Sequence, residues 1–190
     1  MKAKGWHSRG YLPHFDAPGA IQALTFRLAD SVPLKVVECW KNNLKDLESN
    51  EAQIQLHQKI TRYEDAGHGA CLLKNPEFAK IVQNAFLHFD GERYKLLHWV
   101  IMPNHVHLLL EIGKEPLEHI VKSWKTFTAR QINLVRKTEG PVWARDYHDR
   151  YIRDQEHYEN ARAYIRLNPV KAGLCEKTED WPFSSASYRG

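Results

Sequence analysis

The chain has 190 residues, 43% of them hydrophobic, with a formal net charge of +4, which suits one domain with an extension and supplies enough apolar side chains for a real core. Cys39, Cys71 and Cys175 are far apart with no Cys-x-x-Cys pair, which argues against a zinc ribbon or a disulfide framework and fits a reducing cytoplasm. No apolar run approaches the roughly 20 residues needed to span a bilayer, and no apolar stretch follows the first residues as in a signal peptide.

The charge is uneven. Residues 114–171 hold twelve Lys/Arg against eight Asp/Glu, a surplus of four that accounts for the whole excess. A local basic bias of this kind suggests a polyanionic partner.

In chain order, residues 1–18 carry Lys2, Lys4, His7, Arg9 and His14 among Gly5, Gly10, Pro13 and Pro18. They read as an irregular basic arm, either a frayed terminus or a nucleic-acid contact. Residues 19–28 alternate at Ile21, Ala23 and Thr25 and predict the first strand. Asp30-Ser31 before Pro33 marks a helix start. Val36, Val37, Trp40, Leu44, Leu47, Ile54, Leu56 and Ile60 then predict a helix over 34–63, broken by Gly67 and Gly69. Asn75-Pro76 opens another helix over 77–89, with Phe78, Ile81, Val82, Ala85, Phe86 and Phe89 at a 3.6 period. Asp90-Gly91 is a turn, and residues 93–102 read as a strand.

Residues 98–111 are two short apolar strands around a turn at Pro103-Asn104. Side chains alternate along a strand, so His105 and His107 face one way and Val106 the other. Two neutral imidazoles on a rigid strand make two-thirds of a divalent-metal site; two solvated histidines on a sheet-edge hairpin would look the same in sequence. Val100, Ile101, Leu108, Leu109 and Leu110 suggest a strand buried on both faces, where polar groups need partners.

Pro116 starts a long helix to about Lys137, with Leu117, Ile120, Val121, Trp124, Phe127 and Ile132 inward and Lys114, Lys122, Lys125, Arg130, Arg136 and Lys137 outward. Residues 143–154 are dense in aromatic and charged groups without a helical stripe. A last helix over 155–167 is expected to stop at Asn168-Pro169, with Gly173 as its cap. Tyr164 and Asn168 are spaced i, i+4 and share a face if the helix reaches Asn168. An Asn carbonyl oxygen suits Mg²⁺ or Mn²⁺, and a Tyr one turn away can reach a bound phosphodiester. Tyr164 as a packed residue and Asn168 as a helix stop are the plainer alternatives.

These stretches carry a resemblance. Met102-Pro-Asn-His-Val-His-Leu108 and Tyr164-Ile-Arg-Leu-Asn-Pro-Val-Lys-Ala-Gly-Leu174 resemble two long motifs of the REP-associated tyrosine transposases of bacteria, within the single-tyrosine HUH transposases. Residues 149–154, Leu12-Pro-His14, residues 25–30, His88-Phe-Asp-Gly91 and Trp181-Pro-Phe-Ser-Ser185 add to the match. The resemblance implies a single α+β domain over 1–190: a ferredoxin-like antiparallel sheet backed by helices on one side. It implies that His105 and His107 are metal ligands, Asn168 the third ligand and Tyr164 the nucleophile, with Mg²⁺ or Mn²⁺ as cofactor. The substrate implied is single-stranded or hairpin DNA of palindromic repeats, nicked and rejoined through a 5′-phosphotyrosine link, by a monomer or a homodimer. Insertion-sequence relatives commonly carry Gln where Asn168 stands, and the family pattern has an aromatic residue, usually Phe, before the Asp-Arg-Tyr run, where His148 stands. Residues 35–75 match less well and read as a helical insertion.

Lys122, Lys125, Arg150, Arg153 and Arg166 are the candidate phosphate contacts, each with a solvated surface charge as the plainer reading, and Trp143, Tyr147 and Tyr151 are either stacking groups for unpaired bases or core residues. His157, seven residues before Tyr164, is a candidate helper for its activation. The rival readings are a hairpin-binding or regulatory module that does not cut, and a phosphodiesterase that uses water instead of Tyr164.

Overall fold

The computed structural model describes residues 5–8 and 13–189. Its centre is a four-stranded antiparallel sheet. The strands are β3 (Ile21–Arg27), β4 (Tyr94–Ile101), β5 (His105–Ile112) and β6 (His148–Tyr151), in the order β4-β5-β3-β6. With α3 (Pro76–Leu87) between β3 and β4 and α4 (Leu117–Arg136) between β5 and β6, the connection is the βαββαβ of a ferredoxin-like fold. The α+β class expected from the sequence therefore holds.

The pleat of β5 sorts its side chains. Val106, Leu108, Leu110 and Ile112 join Phe78, Val82 and Phe86 of α3 and Ile120, Val121 and Trp124 of α4 in the main core. On β3 the fully buried side chains are Gln22, Leu24 and Phe26, while Ile21, Ala23 and Thr25 lie half-buried on the other face. That second face is also covered. Ile165 of α5 (Gln155–Lys171) packs with Val100, Met102, Leu109 and Ile152 in a smaller cluster. Helices thus lie on both sides of the sheet, where one side was expected.

Four other expectations change. The arm over 1–18 contains two short antiparallel strands, β1 (Gly5–Ser8) and β2 (Pro13–Asp16); Lys2, Lys4 and Arg9 lie outside the described residues. The helix expected over 34–63 is two, α1 (Leu34–Asn43) and α2 (Ser49–Asp65). Asn42-Asn43 is a weak helix-forming pair, and Leu44 turns inward to become buried rather than extending the stripe. Phe127, expected inside, is 50% exposed on the outer face of α4.

Finally, α5 runs through Pro169 instead of stopping before it. Proline costs the bond from its own nitrogen to the Ile165 carbonyl, but only two helical residues follow. Ala172 N–H returns to the Asn168 and Val170 carbonyls, and Gly173 takes the left-handed conformation (φ 67°) that ends the helix. Among the described residues no helix is long and apolar enough to cross a membrane.

Candidate metal and nucleophile site

His105 and His107 stand on β5 opposite Arg27 and Thr25 of β3, on the face that α5 covers. Both are buried, at 1% and 3% exposure. Burial holds the His105 imidazole down to about pKa 3 and pushes His107 well below its ordinary value, with the neighbouring His105, His57 and His148 adding to the shift on His107. Both rings are neutral at pH 7 and keep a lone pair for a metal.

Their orientation is fixed from behind. The Asn104 amide donates to the carbonyls of Glu64 (3.1 Å) and His68 (2.9 Å), so its oxygen faces His105 and accepts from Nδ1–H at 2.7 Å. That tautomer leaves His105 Nε2 unprotonated. Thr25 Oγ1 holds His107 Nδ1 at 2.7 Å. Partners of this kind orient metal-binding histidines in general.

The two Nε2 atoms then face each other at 2.9 Å. At that spacing a lone pair on each would repel, so a proton or a cation has to lie between them. Two nitrogens about 2.1 Å from one cation and at right angles to each other stand roughly 3 Å apart, so the donor pair fits a divalent metal.

Asn168 enters from α5. It is buried, and its Nδ2 is 3.3 Å from His107 Nε2; half a turn of the amide about χ2 presents Oδ1 instead. Tyr164, one turn earlier, lies edge-on to His107 with ring centroids 5.0 Å apart. Its hydroxyl is buried and makes no well-formed hydrogen bond, though it lies beside the Asp65 carboxylate and the Asn168 amide. Burial raises the phenol above its ordinary value, and the Asp65 and Glu64 carboxylates push it further the same way. The Lys171 ammonium, 5.9 Å from the ring centroid, is the nearby opposing charge.

The sequence reading missed Asp65. Its carboxylate oxygen is 3.7 Å from His105 Nε2, and Asp65, His105 and His107 each offer a ligand atom within 4.8 Å of the others. Glu64 beside it is buried, lies 3.6 Å from Arg27 Nε, and is pushed up to about pKa 7 by burial against the pull of Arg27. One signal was available in sequence. An acidic pair at the C-terminal end of a helix opposes the helix dipole, so Glu64-Asp65 needed a reason to be there.

The other expected residues divide. Lys122 and Lys125 line a cleft of about 670 Å³ between α1, α2 and α4, together with Lys41, His57, Arg145 and His148. Lys125 also donates to the Arg145 carbonyl at 2.9 Å. Arg150 and Arg153 are exposed, and Arg166 lies 3.3 Å from Glu179. Trp143 is not available for stacking on a base: it is buried on Phe26 (4.8 Å, edge-on) and donates to Thr128. Tyr147 and Tyr151 are half-buried. His148 stacks on His57 at 3.7 Å. His157 is not a neighbour of Tyr164; seven residues of helix separate them by roughly 10 Å, and its Nδ1 accepts from the Arg153 N–H at the start of α5.

Beside this ferredoxin-like sheet, with His-x-His on a central strand and a tyrosine helix against it, stand the comparisons with known proteins. Residues 74–168, half of the chain, match the family model described as "Transposase IS200 like", and the chain belongs to that family. It is 32% identical over 120 residues to a putative REP-associated tyrosine transposase of Haemophilus influenzae, covering 57% of this chain and 66% of that one. It is 23% identical over 107 residues to a REP-associated tyrosine transposase of Escherichia coli, covering 56% and 63% respectively. The match therefore spans slightly less than two thirds of either relative. A solved REP-associated tyrosine transposase bound to a REP hairpin shares the fold, with a TM-score of 0.58 at 17% identity, over 94% of this chain and 81% of that one.

Proposed function

We propose that this protein nicks and rejoins single-stranded DNA at hairpin-forming palindromic repeats, with Tyr164 as nucleophile and His105, His107 and Asn168 as ligands of Mg²⁺ or Mn²⁺. The observation that carries the reading is the convergence of a mid-chain strand and a late helix of one chain, which sets the Tyr164 ring 5.0 Å from the His107 ring. The hairpin-bound relative that shares the fold supports hairpin DNA as the substrate class.

A bound dication would neutralise the non-bridging oxygens of the scissile phosphate. The chain itself supplies the rest. Tyr164 Oη attacks phosphorus in line, the P–O3′ bond breaks, the phenol gives up its proton and the 3′-oxygen takes one to leave as a hydroxyl. A 5′-phosphotyrosine keeps the bond energy, so a 3′-hydroxyl can reverse the step and join strands. Because the carboxylates of Asp65 and Glu64 oppose ionisation of the phenol, Lys171 and the incoming cation have to offset them. Lys122, Lys125, Arg150 and Arg153 would carry the phosphodiester backbone. Since α5 packs on its own sheet, the proposed site is complete within one chain, which supports a monomer.

The test is incubation with Mn²⁺ or Mg²⁺ and an end-labelled hairpin oligonucleotide. A covalent adduct that survives denaturation and is lost in Tyr164→Phe is the expected result. Cleavage without an adduct would mean water replaces Tyr164, and binding without cleavage would mean a module that does not cut.

A further inference from the structure

Asp65 lies on α2, outside residues 74–168 that match the family model and outside the three ligands proposed above. We propose that Asp65 is a ligand of the same cation, making the centre a two-imidazole, one-carboxylate set to which Asn168 adds a further donor, and that a bound dication clasps the end of α2 onto β5. The inference rests on the metal site proposed above and goes beyond it.

Three observations carry it. The Asp65 oxygen is already 3.7 Å from His105 Nε2, and the donor atoms of Asp65, His105 and His107 lie within 4.8 Å of one another. The end of α2 is aimed by the same residue that orients His105, since Asn104 binds the Glu64 and His68 carbonyls with its nitrogen and the imidazole with its oxygen. And a carboxylate at a helix C-terminus is opposed by the dipole, an opposition that a dication reverses. Asp65 is also the accessible member, with its side chain 38% exposed against 1% for His105, so a cation can enter from its side. Two imidazoles and one carboxylate with open positions suit first-row transition dications better than Mg²⁺, so Mn²⁺ is the probe.

The experiment is calorimetric titration of MnCl₂ into the full chain without DNA, paired with amide hydrogen exchange. The wild type should bind one Mn²⁺ per chain and gain protection over residues 49–65. Asp65→Asn should bind at least about tenfold more weakly and lose that protection, while its metal-free melting curve stays that of the wild type. Equal Mn²⁺ affinity in wild type and Asp65→Asn, with binding lost in His105→Ala, overturns the role of Asp65 and leaves the histidine site standing. No Mn²⁺ binding by the wild type overturns both. Should Asp65→Asn melt early, exchange in the wild type decides: protection of residues 49–65 by Mn²⁺ supports the clasp, and its absence overturns it.

Discussion

At the residue scale the site is a set of polar groups held inside a core, and their free energies run against stability. The Tyr164 hydroxyl is buried with no well-formed hydrogen bond, beside a carboxylate that opposes its ionisation, and such a group costs about 1–3 kcal/mol. Tyr164→Phe should therefore abolish adduct formation yet stabilise the metal-free protein by about 1 kcal/mol, read as a higher midpoint in urea. An unchanged or lower midpoint would mean that the hydroxyl is hydrogen-bonded in solution. The histidines predict a pH dependence. His105 and His107 have folded pKa values depressed below 6.5, so the unfolded state binds more protons and stability falls as pH drops from about 6.5 towards 3. Each group contributes a slope of roughly 1.4 kcal/mol per pH unit there. Glu64 acts oppositely, because its folded pKa is raised from 4.5 to about 7 and stability falls as pH rises through that interval. Between pH 4.5 and 6.5 it offsets about one histidine, so the two buried imidazoles and Glu64 partly cancel in urea melts over that interval. His107→Ala should flatten the slope that remains.

At the element scale, the end of α2 and the turn before β5 behave as one unit because Asn104 joins them with three hydrogen bonds. Asn104→Ala leaves two carbonyls and an imidazole N–H without partners. The expected cost is about 2–4 kcal/mol, with hydrogen exchange accelerating first over residues 60–68 and not over α3. The α5 helix is the converse case. Proline-based reasoning stops it before Pro169, but Asn168 and Pro169 are both buried. Packing against β4 and β5 keeps the helix intact to Lys171, which places Asn168 one turn below Tyr164 and holds Lys171 near the ring.

At the scale of the whole molecule, the excess positive charge should govern affinity for DNA. Lys122 and Arg150 are exposed cations on different elements. Replacing either by Ala should reduce the slope of log K against log salt by about 0.7 for a single-stranded phosphate, at nearly constant fold stability. A slope unchanged in both variants would remove them from the interface. Replacing Arg166, which lies within 3.3 Å of the Glu179 carboxylate, should change the slope less.

Much of this protein was legible in its order of residues. The 3.6-residue spacing of Phe78, Val82 and Phe86 and the apolar run from Leu108 to Leu110 placed α3 and β5, because burial of one stripe or of two faces leaves a periodic trace in sequence. His105, His107, Tyr164 and Asn168 stood out by local spacing and by resemblance. What the sequence could not reveal was anything that depended on distant segments meeting. Trp143 looked like a base-stacking group until Phe26 and Thr128 enclosed it, and His157 looked close to Tyr164 until the helix axis separated them. Asp65 and Asn104 reach the site only because α2 returns to the turn before β5, a contact across some forty residues that no local period encodes. The sequence by itself determined the central strands β3 to β5, the helices α3 and α4 and the histidine, tyrosine and asparagine candidates, since those follow from short-range sterics, patterned burial and motif; the tertiary fold alone decided which side chains share a centre, since that is set by long-range packing.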